Sequence, residues 1–131
     1  MSNNDKAIRW IAFGAVICSL YVLLGAFGAH GLEGKLSDSQ LSTYNTALRY
    51  LVIHGLGLII VNLSYVVLHK SNKWVNWLFT IGLVLFSLSL LIHSTKHLLG
   101  IEINLFALVA PLGGLSFVAG WILYALVILR K

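Results

Sequence analysis

His30, His54, His93 and His97, together with Tyr44, Tyr50 and Glu102, are the residues whose types and spacing could do chemistry in this chain. An imidazole exchanges protons near neutral pH and ligates metals. His93 and His97 stand four apart, which on a helix puts both rings on one face and suits a shared metal or a proton relay. Neither an HExxH pattern nor a cysteine-rich ligand set accompanies them. Interfacial hydrogen bonding is therefore the expected role of this pair, and no metal or other cofactor is expected. His54 stands within an apolar stretch, where an ionisable group is costly unless it has a partner. Its expected partners are Tyr44, Tyr50, His30 or the backbone near Pro111, and a neutral histidine that fixes packing is favoured over a proton-carrying or ligand-binding group. The serines near the histidines have no activating triad, so no catalytic residue is expected.

The elements that position these groups are apolar helices. Of 131 residues, 59% are hydrophobic and 10% charged, and the mean hydropathy is +0.91. A hydrocarbon core needs roughly 20 mainly apolar residues per helix, and such windows run over 8–29, 51–68, 75–92 and 105–129. A soluble four-helix bundle would need polar outer faces, yet between Ile81 and Ile92 only Ser87 and Ser89 are polar. The expectation is an all-α, integral membrane four-helix bundle in one domain, 1–131. Lys6 and Arg9 ahead of an apolar run that ends in small residues resemble a signal peptide. The run is long for that purpose and reads as the first span. The lone Cys18 lies inside it and reads as a small apolar filler.

Basic residues set the expected orientation, since Lys and Arg are retained on the cytoplasmic side of short loops. With the amino terminus inside, that side holds Lys6, Arg9, Lys70, Lys73, Arg130 and Lys131, and the other holds Lys35, Arg49 and Lys96. Both termini are expected in the cytoplasm, with Trp10, Trp74 and Trp77 at that boundary. The net charge of +5 then reflects topology and contact with anionic lipid heads, and no basic domain exists to carry nucleic acid. Between the first two spans, Ser37 and Gln40 form a capping box that predicts a helix from Asp38. A helix from Asp38 to Leu68 would be about 46 Å long, beyond the roughly 30 Å hydrocarbon core. A bend at Gly55 and Gly57 is expected, with the Asp38–Arg49 segment lying along the outer interface.

Small and polar residues recur at spacings of three and four, which predicts packing seams. In the first helix these are Gly14, Cys18, Tyr21, Gly25 and Gly28, and in the second Ala47, Tyr50, His54, Gly57, Val61 and Ser64. The third offers Gly82, Phe86, Ser89, His93 and His97, with Ser87 beside them, and the fourth Gly113, Phe117, Gly120 and Tyr124. Pro111 removes a backbone donor and predicts a bend or a late helix start. Gly113 and Gly114 would let a neighbour or a small ligand approach the loosened backbone. No Asp or Glu occurs inside any span. An ion-coupled carrier, which needs a titratable group at depth, would have to run on His54.

LGAFGAHGL at 24–32, then Tyr44, Ala47, Tyr50 and His54, LFSLSL at 85–90 and PLGGLSFVAGW at 111–121 together resemble the YgdD/YwdK-like small inner-membrane proteins. The resemblance covers nearly the whole chain and implies a four-helix protein of the bacterial inner (plasma) membrane. It stresses Gly25, Gly28, His30, Tyr50, His54, Ser87, Ser89, Pro111, Gly113, Gly114, Gly120 and Trp121. Leu88 departs from it, since relatives often carry glycine there. The family is a domain of unknown function, so it implies no substrate, cofactor or catalytic residue.

Two functional classes follow. The preferred one is a noncatalytic interaction protein, either a homo-oligomer or an accessory subunit of a larger membrane complex, with membrane lipids as its other partners. The alternative is a small-molecule transporter or channel with a site formed by His30, Tyr44, Tyr50 and His54 near the kink at Pro111, Gly113 and Gly114. A quinone- or haem-associated redox accessory is a weaker third.

Overall fold

The computed structural model describes residues 2–101 and 105–130, with side chains in the last helix from residue 108 onward. Glu102, expected on the outer side, and Lys131 lie outside the described residues.

Local capping sets the helix starts. Ser2 and Asp5 form a reciprocal capping box, with Asp5 N–H donating to Ser2 Oγ at 3.1 Å and Ser2 N–H to Asp5 Oδ2 at 2.8 Å. From it runs α1, Asn3–Ala26, extended by a wide π-type turn over Phe27–Gly31. Gly34, at φ +69°, supplies the left-handed turn that the reversal needs. Ser37 and Gln40 then make the expected capping box, and α2 spans Asp38–Val67. Asn72 Oδ1 accepts the Trp74 N–H at 2.9 Å and starts α3, Lys73–Gly82. A π turn, Leu83–Leu88, joins α3 to α4, Ser89–Thr95, so these three pieces form one span. The last helix, α5, covers Leu105–Leu129 and runs unbroken through Pro111.

Four helices are long and apolar enough to cross a membrane: Asn3–Gly31, Asp38–Val67, Lys73–Thr95 and Leu108–Leu129. No strand occurs among the described residues. An even number of crossings brings both chain ends, with Lys6, Arg9, Lys70, Lys73 and Arg130, to the same end of the bundle.

Neighbours follow chain order. α1 packs almost wholly on α2, α2 on the third span, and the third span on α5. The core runs through α2 and α3, where Leu58, Val61, Val75 and Phe79 are completely enclosed. α2 runs unbroken through Gly55 and Gly57, which serve as contact points rather than as breaks. A Cβ on Gly55 would lie 2.9 Å from Ile17 Cγ2 of α1, and one on Gly57 would lie 3.0 Å from the Phe79 ring. The exposed face of α2 changes character along its length. Asp38, Ser42, Asn45 and Arg49 give way to Ile53, Leu56, Ile60, Leu63 and Val67. The first three turns of this helix thus carry a wettable face, and the remainder a lipid-compatible one.

Candidate functional site

The interior polar groups centre on His54, which is 3% exposed. Its Nδ1 lies 2.8 Å from the Tyr50 carbonyl oxygen one turn earlier, and its Nε2 lies 3.1 Å from Trp121 Nε1 of α5. An indole nitrogen only donates and a carbonyl oxygen only accepts. His54 is therefore neutral, with its proton on Nδ1 donated to Tyr50 and its Nε2 accepting from Trp121. Its ring stacks on Phe117, with centroids 3.4 Å apart, and meets Phe79 edge-on at 5.2 Å. Both ring nitrogens are thus bonded, and the buried ring is packed by Phe117 and Phe79.

Close approach of α5 to the third span explains why these rings can meet. Gly82 faces the Phe117 ring and Gly120 the Phe79 ring, where an added Cβ would lie 2.4 and 2.7 Å away. Ser116 Oγ donates to the Leu78 carbonyl at 2.7 Å. Gly113 lies against the π turn itself, its Cβ position 2.5 Å from Phe86 N. The segment that follows Pro111 therefore seats on the irregular turn of the third span. Ser89 Oγ donates within that turn to the Leu85 and Phe86 carbonyls, and Ser87 is fully enclosed with no hydrogen-bond partner.

Nearer the basic end, Asn62 of α2 and Asn76 of α3 pair amide to amide. Asn62 Nδ2 donates to Asn76 Oδ1 at 2.8 Å, and Asn76 Nδ2 donates back to Asn62 Oδ1 at 3.1 Å. Asn62 also donates to the Leu58 carbonyl at 2.7 Å. Tyr124 O–H of α5 donates to Ser64 Oγ at 3.0 Å.

Of the residues expected to form one polar site, Tyr50 and His54 come together, through the Tyr50 carbonyl and their stacked rings, and the others lie apart. His30 is exposed on the wide turn after α1, near Gly28, which packs on the Tyr44 ring. Tyr44 spends its hydroxyl on the Leu24 carbonyl at 2.7 Å. His54 lies ten residues further along α2, about 15 Å away at helical rise. Pro111 stands ten residues before Trp121, the partner of His54, and its own side is exposed. Tyr50 lies against Phe86 and Phe117, and Gly114 makes ordinary contact with Phe86. His93 and His97 do not share a helix, because α4 ends at Thr95. His97 braces the start of α2 and the loop before it, bonding Gln40 Nε2 at 3.2 Å and the Lys35 carbonyl at 3.1 Å. Nδ1 of His93 is buried without a partner. No cluster of three His, Cys, Asp or Glu residues able to hold a metal occurs among the described residues.

The α1 seam also divides. Gly14 and Cys18 face α2, whereas Gly25 opens on empty space and Tyr21 is exposed, so neither of the latter is a packing residue. Three features escaped the seam reading. Asn62 and Asn76 were visible as isolated amides in apolar runs. Trp121 is a donor within the last span. Ala12, Ala15, Ser19, Val22 and Ala26 form a second heptad-spaced row on α1, and all five are exposed.

The molecule so defined is a small multi-pass α-helical membrane protein whose interior polar groups are almost all engaged in helix packing. Residues 24–114 match the family described as "Protein of unknown function (DUF423)", and the chain belongs to that family. It is 42% identical over 114 residues to a UPF0382 membrane protein of Staphylococcus haemolyticus, covering 87% of this chain and 89% of the relative. It is 40% identical over 119 residues to the UPF0382 membrane protein YwdK of Bacillus subtilis, covering 87% and 90%. The resemblance carried by the motifs at 24–32 and 111–121 is borne out by these relatives. No solved structure matches the chain.

Proposed function

We propose that the protein is a noncatalytic interaction protein that associates with a second copy of itself in the membrane through α1. The observation that carries this reading is a row of small residues on the exposed surface of α1. α1, which has only α2 as a substantial neighbour, exposes Ala12, Ala15, Ser19 and Ala26 in one row with Val22, flanked by the larger exposed Val16, Leu20 and Leu23. Membrane helices associate through small residues that let backbones approach, because lipid tails solvate large apolar side chains as well as a partner does. A row of this kind is self-complementary across a two-fold axis. The transport reading has less support, since His54 has both ring nitrogens committed and the glycine-to-phenylalanine contacts close the space beside it.

The test is cysteine scanning in a Cys18→Ala background, in lipid nanodiscs. Single cysteines at Ala12, Ala15 and Ser19 are expected to give disulfide-linked dimers, and cysteines at Ile60 and Leu115 are not. Native mass spectrometry should show the same dimer without cross-linking. A monomeric mass with no preferential cross-link overturns the reading, and stoichiometric capture of a different membrane protein by the α1 cysteines replaces self-association with an accessory role.

A further inference from the structure

The basic end of the bundle holds a cleft of roughly 90 Å³ that the packing described above leaves open. Lys6 of α1, Lys70 of the loop after α2 and Lys73 of α3 line it, and among the described residues no carboxylate does. The carboxylate nearest in sequence, Asp5, is held by the Ser2 N–H in the capping box. The amino-terminal ends of α1 and α3 both open on the cleft, and such ends favour negative charge.

Two buried groups in its wall have capacity to spare. Tyr65 is 4% exposed, and its hydroxyl has no hydrogen-bond partner. A buried hydroxyl without a partner costs stability, so a ligand that accepts from it relieves that cost. Asn76 uses one amide N–H on Asn62 and retains the other. Lys70 gives one of its three N–H groups to the Arg130 carbonyl. Each of these groups has a donor to spare, which suits an anion rich in acceptor oxygens.

A second, shallower groove continues from the first and shares Lys6 and Trp10 with it. It adds Arg9 and then Phe13, one turn further down α1. A cationic head above an apolar stem has the chemistry of a phospholipid site and offers nothing to a free anion below the head.

We propose that this cleft binds the phosphate group of an anionic phospholipid, with Tyr65, Asn76 and the three lysines as donors and an acyl chain along Trp10 and Phe13. The full-length protein, exchanged into nanodiscs of equal phosphatidylglycerol and phosphatidylcholine with matched chains, is then released and analysed by native mass spectrometry. The wild type is expected to retain phosphatidylglycerol at least about fivefold over phosphatidylcholine. Tyr65→Phe should lower the phosphatidylglycerol retained about fivefold, the weight of one hydrogen bond, and Lys6→Gln with Lys73→Gln should abolish the preference over phosphatidylcholine. Lys35→Gln, at the opposite end, should leave it unchanged. If Tyr65→Phe also lowers the melting temperature, the lysine variants decide. Equal retention of the two lipids by the wild type, or phosphatidylglycerol retention unaffected by both sets of variants, overturns the site. Calorimetric titration of the detergent-solubilised protein with inorganic phosphate separates the sources. Binding as tight as that of phosphatidylglycerol overturns the lipid assignment in favour of a soluble phosphate.

Discussion

Trp121 donates its indole N–H to Nε2 of His54 across 3.1 Å, and this contact assigns the imidazole proton to Nδ1. Nitrogen-15 NMR of the protein in nanodiscs should therefore show His54 as the Nδ1–H tautomer, with Nε2 unprotonated. A signal from the Nε2–H tautomer or from imidazolium would contradict the contact. A double-mutant cycle between His54→Phe and Trp121→Phe should give a coupling of about 1 kcal/mol, the scale of an interhelical hydrogen bond in a membrane protein.

Glycine substitutions should separate contact glycines from open ones. Gly113→Ala places a methyl group against backbone atoms of Phe86 and Leu85, which cannot move as a side-chain tip does. A loss of about 1–3 kcal/mol is expected, as for overpacking. Gly25→Ala meets nothing within 4 Å and should be neutral or stabilising by about 0.5–1 kcal/mol, the helical advantage of alanine over glycine. Thermal unfolding in detergent measures both, and equal destabilisation would show that Gly25 is packed after all.

The Asn62–Asn76 pair predicts a non-additive cycle. Asn62→Leu strands the Asn76 amide between helices and should cost about 1–3 kcal/mol. The double variant with Asn76→Leu leaves no stranded group and should recover most of that loss. A double variant as unstable as the sum of the singles would mean that shape, not hydrogen bonding, holds this contact.

The end that carries Lys6, Arg9, Lys70, Lys73 and Arg130 is expected to face the cytoplasm, because Lys and Arg near span ends are retained there. Cysteines placed at Ser71 and at Glu33 in a Cys18→Ala background report it in intact cells. An impermeant maleimide should label position 33 and spare position 71, and the reverse pattern would invert the protein.

Much of the fold was legible because each signal is local. Four apolar windows define four spans, and Ser37 with Gln40 sets the start of α2 at Asp38, since a capping box involves only neighbours along the chain. Periodicity also marked most of the facing residues, because Gly82, Phe117, Gly120 and Gly113 stand where spacings of three and four place them. The wide turns at Phe27–Gly31 and Leu83–Leu88 were not legible, since one extra residue per turn leaves no mark in composition.

Pairing between helices is a different matter. The sequence by itself determined a membrane-spanning four-helix chain, the cap that starts α2, its charged ends and a row of candidate packing residues on each helix. Only the tertiary structure decided that His54 meets Trp121 instead of His30, that Asn62 meets Asn76, that His97 braces a loop, and that Gly25 faces open space. The reason is rotational and axial freedom. A helix with small or polar residues on more than one side can present any of them, and depth along the neighbouring helix then selects the contact. On α1, the Gly14–Cys18 side packs against α2, and the Ala12–Ser19 row remains exposed.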